Sequence, residues 1–330
     1  MQVLARSCCP PPSELVSSTF RNVSTKHLQR FRGVLRLIIN ADDFGLTLGV
    51  NRGIAEAWTR GIVNSVTIMA NSRYFENAVG LVNSSSDKSL RPLSVGCHVV
   101  LTDGEPILKP QAIPTLIPPS SRPLFRKNFT EFAISAIAGR LAEDEIQAEA
   151  GAQISKLRQT GISVSHVDTH KHAHLFPKVL KPILRAAKAH GVRAVRNPFY
   201  PNRLPTMAEV AKRPRVARRY FQIPILRHFA GHFRRIVEAE GLSTTDGCLG
   251  VYDNSLLNCA TLRHVISRLP PGTWELVSHP GYRDSDLDNL DTRLRESRTK
   301  ELELLTSSVA RDILAELEVK IISYWDLLER

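Results

Sequence analysis

The sequence predicts an α/β fold with one mostly parallel sheet and helices packed against it. Segments of strand character alternate with segments of helical periodicity along most of the 330 residues. Such alternation is typical of parallel strands joined by crossover helices. With 42% apolar residues the chain can form a sizeable core, and a single domain suits its length. Alternation alone leaves open whether the sheet closes into a barrel or stays open and doubly wound.

Strands are predicted where β-branched and apolar residues cluster, beginning with the run that ends at Gly45. Further strands are expected at 62–70, 93–101, 162–168, 192–196, 247–252, 273–278 and 319–324. Helices are expected where apolar residues recur every three or four positions, at 48–60, 74–82, 141–159, 177–190, 225–240, 261–269 and 292–317. Residues 103–127 are rich in proline and are predicted as a long loop, which in a compact domain usually has a function.

The first 33 residues differ in composition from the rest, so the folded domain is predicted at 34–330. A run of prolines starts at Pro10, serines are interspersed with basic residues, and Glu14 is the only acid. This composition favours a disordered basic N-terminal arm at 1–33. It also resembles an organelle transit peptide, although a dispensable tail is the favoured interpretation.

The formal net charge of +12 is concentrated in one segment, 203–235. Lys and Arg are frequent there, and Glu209 is the only acid. A solvated basic face is the simplest interpretation, and an anionic membrane, lipid-linked substrate or anionic substrate is the alternative. Nucleic acid is disfavoured because the segment lacks alternating basic and aromatic residues.

The rest of the composition narrows the location and the class of protein. No apolar run reaches the roughly 18 residues of a membrane-spanning helix. Cysteines are few, and none has the CxxC spacing of a zinc site. We therefore expect a cytoplasmic protein, with membrane association through the basic segment left open, and a homodimer is compatible with the sequence. The motifs of dinucleotide and P-loop sites are absent, so nucleotide binding has no support.

Two adjacent acids end the first predicted strand. The apolar run Leu37–Ile39 leads into Asp42 and Asp43, and Gly45 follows. At the carboxyl end of a parallel strand the chain turns, so both acids can face one cleft, which is where α/β folds place their chemistry. The alternative is that Asp43 caps the next helix and Asp42 is solvated.

Histidines follow three later strands. His98 lies near the end of the third strand, and taken alone it is more typical of a structural residue. The segment 166–174 contains four histidines, and period-two spacing would place His166, Asp168, His170, His172 and His174 on one side if the strand continued. A solvent-exposed histidine-rich turn is the alternative. His279 is followed by Pro280 and Gly281, which predict a turn at the rim of the sheet.

Two histidines and one carboxylate would form a metal site with an open coordination position. Such a site suits Zn²⁺, Mn²⁺, Fe²⁺ or Co²⁺ better than Mg²⁺, which prefers oxygen ligands. A bound ion activates water, a free carboxylate can accept its proton, and a histidine can protonate a leaving amine. The combination predicts an amide hydrolase.

The motifs resemble those of the YdjC-like carbohydrate deacetylases, which include chitooligosaccharide deacetylases and hopanoid-associated proteins. The matching stretches are NADDFG at 40–45, GCHVVLTDGEP at 96–106, HVDTHKHAHLFP at 166–177, SHPGY at 278–282, RTKEL at 298–302 and ISYWDLL at 322–328. The similarity runs from about Leu35 to Leu328. The long loop and the histidine motif are closer to the hopanoid-associated branch.

The resemblance implies a single-domain, deformed (β/α) TIM-like barrel that hydrolyses the acetamido group of an N-acetylated amino sugar, either an oligosaccharide or a lipid-linked glycoside. By position it makes Asp42 the general base and His279 the general acid. It assigns one divalent ion to Asp43, His98 and His170, with Arg298 steadying a carboxylate. The ion is Mg²⁺ by family resemblance. The other polar members of the cluster, Asp168, His172 and His174, are expected to bind substrate.

Two other functions remain open at this point. A glycoside hydrolase would need two carboxyl groups at least about 5 Å apart across the sugar, whereas Asp42 and Asp43 are neighbours with different expected roles. A non-catalytic sugar- or lipid-binding protein on the same barrel is the second alternative, and the complete set of polar residues argues against it.

Overall fold

The computed structural model of the protein describes residues 33–84, 92–119, 123–199, 223–250 and 257–329. The predicted N-terminal arm, apart from Gly33, lies outside the described residues. So do residues 203–222 of the basic segment. The predictions made for those two stretches therefore stay predictions.

The described strands form one sheet in which every neighbouring pair is parallel. Its order is β6-β5-β4-β3-β2-β1-β8-β7, and β9 pairs with β1. The strands are β1 (Leu35–Phe44), β2 (Ser65–Ile68), β3 (Ser94–Val99), β4 (Val164–Thr169), β5 (Ala194–Val195), β6 (Ser243–Thr244), β7 (Gly247–Leu249), β8 (Gly272–Ser278) and β9 (Lys320–Ile321).

The two edges of this sheet meet in one bent stretch of chain. β6 pairs with β5 and β7 pairs with β8, while Thr245 and Asp246 alone separate β6 from β7. The sheet is therefore a nearly closed parallel barrel, deformed where this stretch bends. The predicted single α/β domain with a TIM-like barrel is confirmed, and the open, doubly wound alternative is not the arrangement found.

Helices follow most strands and cover the outside of the barrel. They are α1 (Leu48–Thr59), α2 (Phe75–Ser84), α3 (Phe129–Ile137), α4 (Glu143–Gln159), α5 (Pro177–Ala189), α6 (Ile223–Glu240), α7 (Cys259–Ile266), α8 (Ser285–Asp288), α9 (Glu296–Thr306), α10 (Ser308–Glu316) and α11 (Tyr324–Leu328). Most of their apolar faces pack with the strands in one large core, while Tyr324 of α11 packs with Ile38, Ala194 and Ile322 in a second, small cluster. Among the described helices, none is both long and apolar enough to cross a bilayer.

The helix predicted at 292–317 is two helices in the structure. Ser307 lies between α9 and α10, and its hydroxyl accepts a hydrogen bond from Ala310 N at 3.1 Å. This side chain caps a new helix. The helical spacing of the apolar residues is interrupted only slightly at this point. The strand predicted at 319–324 is shorter for a similar reason, because a capping box between Ser323 and Asp326 starts α11.

The predicted long loop is anchored on α4, as far as it is described. Within 103–127 the regular structure of the described residues is one short 3₁₀ turn, Pro110–Ala112. Buried Glu149 accepts hydrogen bonds from Ile107 N at 2.9 Å and Leu108 N at 3.0 Å. These bonds attach the loop, which follows the carboxyl end of β3, to the helix. Helix α3, just after it, was not predicted.

Candidate active site

Asp42 and Asp43 both lie buried at the carboxyl end of β1, with exposures of 1% and 3%. The pairing of β1 with β2 shifts register between Ala41 and Phe44, and Asp43 has a φ of 68°. An irregularity of this kind re-aims side chains that strict alternation would send to opposite faces. It brings both acids close to His98, so they do not face opposite sides of the sheet.

Asp43, His98 and His170 offer three ligand atoms that lie within 4.8 Å of one another. Asp43 Oδ1 is 3.5 Å from His98 Nε2 and 3.4 Å from His170 Nδ1. Each residue comes from the carboxyl end of a different strand: β1, β3 and β4. The donor set of one carboxylate and two imidazoles fits a divalent transition-metal ion with open coordination positions.

The surroundings of His98 also suit a cation. His98 Nδ1 is 2.8 Å from Asp168 Oδ1, which leaves Nε2 directed toward Asp43. A carboxylate behind a metal-binding histidine commonly fixes its orientation in this way. Burial opposes a charge on His98, yet Asp168, Asp43 and Asp42 raise its pKa to about 10. The local field therefore attracts positive charge at this point.

Arg298 holds the other side of Asp43. From α9 its Nη2 donates to Asp43 Oδ2 at 2.5 Å, while its Nε donates to the carbonyl of Leu294 at 3.0 Å. Burial would raise the pKa of Asp43, but Arg298 and the two histidines hold it well below the usual range. Asp43 is therefore ionised, with Oδ1 presented to the histidines.

Arg196 is a site residue that sequence reasoning missed. It follows β5 directly, is completely buried, and donates to both oxygens of Asp42 at 2.7 and 2.6 Å. It also donates twice to Glu275 Oε1, at 2.9 and 2.8 Å, and forms an ion pair with Asp168. Although burial acts the other way, Arg196 holds the pKa of Asp42 well below its usual range.

His279 faces Asp42 from the end of β8. Its Nε2 is 3.8 Å from Asp42 Oδ2, and its backbone N donates to Glu301 Oε2 at 2.7 Å. Burial lowers the pKa of the imidazole to about 4, despite the nearby Asp43 and Asp42. His279 is therefore neutral near pH 7.

The histidine cluster does not continue β4, so the period-two arrangement predicted beyond Asp168 is wrong. The strand ends at Thr169, and 3₁₀ structure follows at His170–Leu175, within which Lys171 and His172 have left-handed φ values of 55° and 54°. His170 turns toward Asp43, whereas His174 binds Thr169 Oγ1 at 2.5 Å and the carbonyl of Arg196 at 3.2 Å.

The remaining polar members of the cluster have diverse surroundings. Fully buried His166 stacks on Tyr324 with ring centroids 3.6 Å apart, so it belongs to the barrel interior. Asp168 and His174 are also fully buried and are already bonded to protein groups. The substrate contact predicted for these two stays a prediction, and their partners favour a positioning role. His172 is half-buried, and the substrate contact predicted for it also stays a prediction.

Together these observations define a parallel α/β barrel with a candidate divalent-metal centre at the carboxyl ends of its strands. The family model described as YdjC-like protein matches residues 36–316. The chain therefore belongs to the YdjC-like family, and the family predicted from the motifs is confirmed.

Curated relatives cover nearly the whole described domain. A carbohydrate deacetylase from Listeria monocytogenes serotype 4a is 31% identical over 297 residues, which is 89% of this chain and 100% of the relative. One from Brevibacillus brevis is 29% identical over 293 residues, with the same coverage of both chains. A crystal structure from Enterococcus faecalis V583, provisionally assigned to cellobiose-phosphate cleavage, has a TM-score of 0.69 at 24% identity and covers 89% of this chain and 99% of its own. That likeness supports the fold alone.

Proposed function

We propose that this protein is a divalent-metal-dependent N-deacetylase that hydrolyses the acetamido group of an N-acetylated amino sugar. By its family and curated relatives, the chain is a hydrolase that acts on amide bonds. The observation that carries the finer proposal is the meeting of Asp43, His98 and His170 beside Asp42 and His279 in one largely buried cluster of side chains.

Asp43, His98 and His170 would hold the ion, since their ligand atoms converge and Asp168 and Arg298 orient two of them. When bound, the ion would polarise the amide carbonyl and lower the pKa of a water molecule. The two imidazoles favour Zn²⁺, Mn²⁺ or Co²⁺, whereas Mg²⁺ is the ion implied by family resemblance.

Asp42 is proposed as the general base. Arg196 keeps its carboxylate ionised at working pH, and the ionised form is the one that can accept a proton from the attacking water. The same ion pair makes Asp42 a weak base, so a proton that it accepts is readily transferred to another group. Asn40 and Thr67 also donate to Asp42 Oδ1, at 2.7 and 3.2 Å, which fixes the carboxylate in place.

His279 is proposed as the general acid, and the structure suggests how it gains its proton. Because the pKa of His279 is about 4, it is neutral before the reaction. Asp42 Oδ2 lies 3.8 Å away and is the acidic group from which it would receive the proton. Water would lose a proton to Asp42, His279 would deliver one to the departing amine, and the products would be acetate and the free amino sugar.

The finer identity of the substrate is also a proposal. Likeness to the hopanoid-associated branch favours an acetylated sugar attached to a lipid, and the basic segment at 203–235 would favour contact with an anionic membrane. A cytoplasmic location and a homodimer remain proposals of the same kind.

Glycoside hydrolysis fits the site less well. It would need a carboxylic acid with a raised pKa to protonate the leaving oxygen. Arginines hold the pKa values of Asp42 and Asp43 low. Glu301 does have a raised pKa, but it is 1% exposed and accepts a hydrogen bond from the backbone of His279.

The experiment measures acetate and free sugar released from a panel of N-acetylglucosaminides, soluble and lipid-linked. The protein is assayed after metal stripping and again after restoration with Zn²⁺, Mn²⁺, Co²⁺ or Mg²⁺. Metal-dependent acetate release supports the proposal. Sugar release without acetate would replace it with glycoside hydrolysis. Absence of turnover on every member of the panel would favour the non-catalytic sugar- or lipid-binding protein.

A further inference from the structure

Glu301 is a buried carboxyl group that the proposed mechanism does not use. It lies on α9, one turn after Arg298, and is 1% exposed. Its Oε2 accepts a hydrogen bond from His279 N at 2.7 Å, while its Oε1 has no hydrogen-bond partner among the described residues. A buried carboxyl group with a single hydrogen bond is costly to keep, so its role needs an explanation.

Helix α9 contacts both the carboxylate of Asp43 and the turn that carries His279. Through its side chain, Arg298 holds the metal-ligand carboxylate of Asp43, and its carbonyl accepts a hydrogen bond from Gly281 N at 3.2 Å. Residues three apart on a helix share a face, so Glu301 points to the same side. The turn after β8 is thus tied to α9 at His279 and again at Gly281.

The same turn has little room to move on its other side. A Cβ atom at Gly53 of α1 would lie 2.5 Å from the Cα of Gly281, so the two backbones pack directly together. Tyr282 N donates to the carbonyl of Gly49 at 3.0 Å. The turn that carries His279 is therefore held between α1 and α9. The hydrogen bond to Glu301 is the one that His279 makes with its own backbone N–H.

We propose that Glu301 is a positioning residue that holds the His279 imidazole opposite Asp42 by accepting the backbone N–H of His279. This inference rests on the proposed function, in which His279 delivers the proton to the leaving amine. Glu301 acts through His279 and does not itself contact the substrate.

Glu301 performs this role as a neutral acid near pH 7. Burial raises its pKa to about 8, against the opposing effects of the His279 N–H and Arg298. The carboxylates of Asp42 and Asp43 face it from β1 and act in the same direction as burial. A protonated carboxyl group still accepts the backbone hydrogen bond and adds no negative charge to a site that already holds these two ionised acids.

The test compares three variants in the metal-loaded enzyme. Glu301→Gln keeps an acceptor oxygen of the same reach, whereas Glu301→Met fills the volume without an acceptor. We expect Glu301→Met to lower kcat by roughly 10- to 100-fold with KM and metal content unchanged, because small misplacements of catalytic groups have effects of this size. Glu301→Gln should restore most of kcat. Ser307→Ala, which removes the cap of α10, is the stability control and should lower the melting temperature without changing kcat.

A second readout does not depend on turnover. The ring signals of His279 in NMR spectra, identified by their loss in His279→Gln, should shift in Glu301→Met and stay in place in Glu301→Gln. If Glu301→Met does not fold, Glu301→Ala takes its place. Unchanged kcat and unchanged His279 signals in the Met variant, or equal losses in Met and Gln, would overturn the proposal. Absence of acetate release by the wild-type enzyme would overturn the proposed function alone, since the NMR comparison still tests Glu301.

Discussion

Arg196 and Asp42 form a bidentate ion pair at the centre of the barrel, with bonds of 2.7 and 2.6 Å between buried groups. The same guanidinium bonds Glu275, whose other oxygen accepts a hydrogen bond from Tyr324 at 2.6 Å. A chain of buried polar contacts therefore runs from α11 through the barrel to the proposed base. This chain fixes the orientation of the Asp42 carboxylate.

Replacement of Arg196 by Met should destabilise the protein strongly. Asp42, Asp168 and Glu275 would lose a shared, fully buried counter-ion, and breaking a buried pair of this kind typically costs roughly 3 to 5 kcal/mol. Urea denaturation of the wild-type protein and of the Arg196→Met variant measures the difference in their free energies of unfolding. Arg185→Met is the matched control, because Arg185 forms its ion pairs at the surface and should matter by less than about 1 kcal/mol. Equal stability of the two variants would contradict the central role of Arg196.

Single alanine variants of Asp43, His98 and His170 should lose bound metal and activity together. Each removes one of three converging ligands, and three protein ligands are the usual minimum for a catalytic site of this type. Metal content by mass spectrometry and acetate release are measured on the same preparations. His190→Ala, which changes a histidine on the C-cap of α5, should retain both. Full metal occupancy in His170→Ala would move the ligand to another histidine of the cluster, with His172 as the first choice.

The candidate ligands could be picked out from the sequence because each is a distinctive residue at the end of a predicted strand. Asp42, Asp43, His98 and His170 could be brought together by topology alone, since the carboxyl ends of parallel strands share one edge. The path of the histidine cluster could not be predicted in this way. Lys171 and His172 adopt left-handed backbone conformations, which non-glycine residues rarely do, and no glycine marks the turn.

Arg196, Glu275 and Glu301 could not be identified because their roles are set by distant contacts. Arg196 lies 154 positions from Asp42, and Glu301 lies 22 positions from His279. Nothing in the local pattern distinguishes this arginine from the many others, and both glutamates look like ordinary polar residues on a strand and a helix. Their significance appears only when burial and hydrogen-bond partners are known.

The stability of the metal-free protein should fall as pH rises above neutrality. The folded state raises the pKa of His98 from 6.5 to about 10, so it binds the proton more tightly than the unfolded chain does. The resulting stabilisation is fully present below about pH 6.5 and is lost as pH rises through 10. Melting temperatures of the metal-stripped protein between pH 6 and 10 provide the measurement. His98→Gln should flatten this part of the curve, and an unchanged slope would show that His98 is not the group responsible.

Asp42→Asn and Asp43→Asn should separate the base from the ligand. Asp42→Asn keeps the shape of the side chain but cannot accept the proton, so it should retain the metal and lose turnover by roughly 10² or more. Asp43→Asn weakens a direct ligand and should lose metal as well. His279→Gln should also keep the metal and should lose turnover, because Gln cannot deliver a proton to the leaving amine. These expectations follow from the contacts of the two acids, since Arg196 occupies both oxygens of Asp42 while Asp43 presents Oδ1 to His98 and His170. If Asp42→Asn loses the metal while Asp43→Asn keeps it, the roles of the two acids are reversed, and Asp43 must be the base.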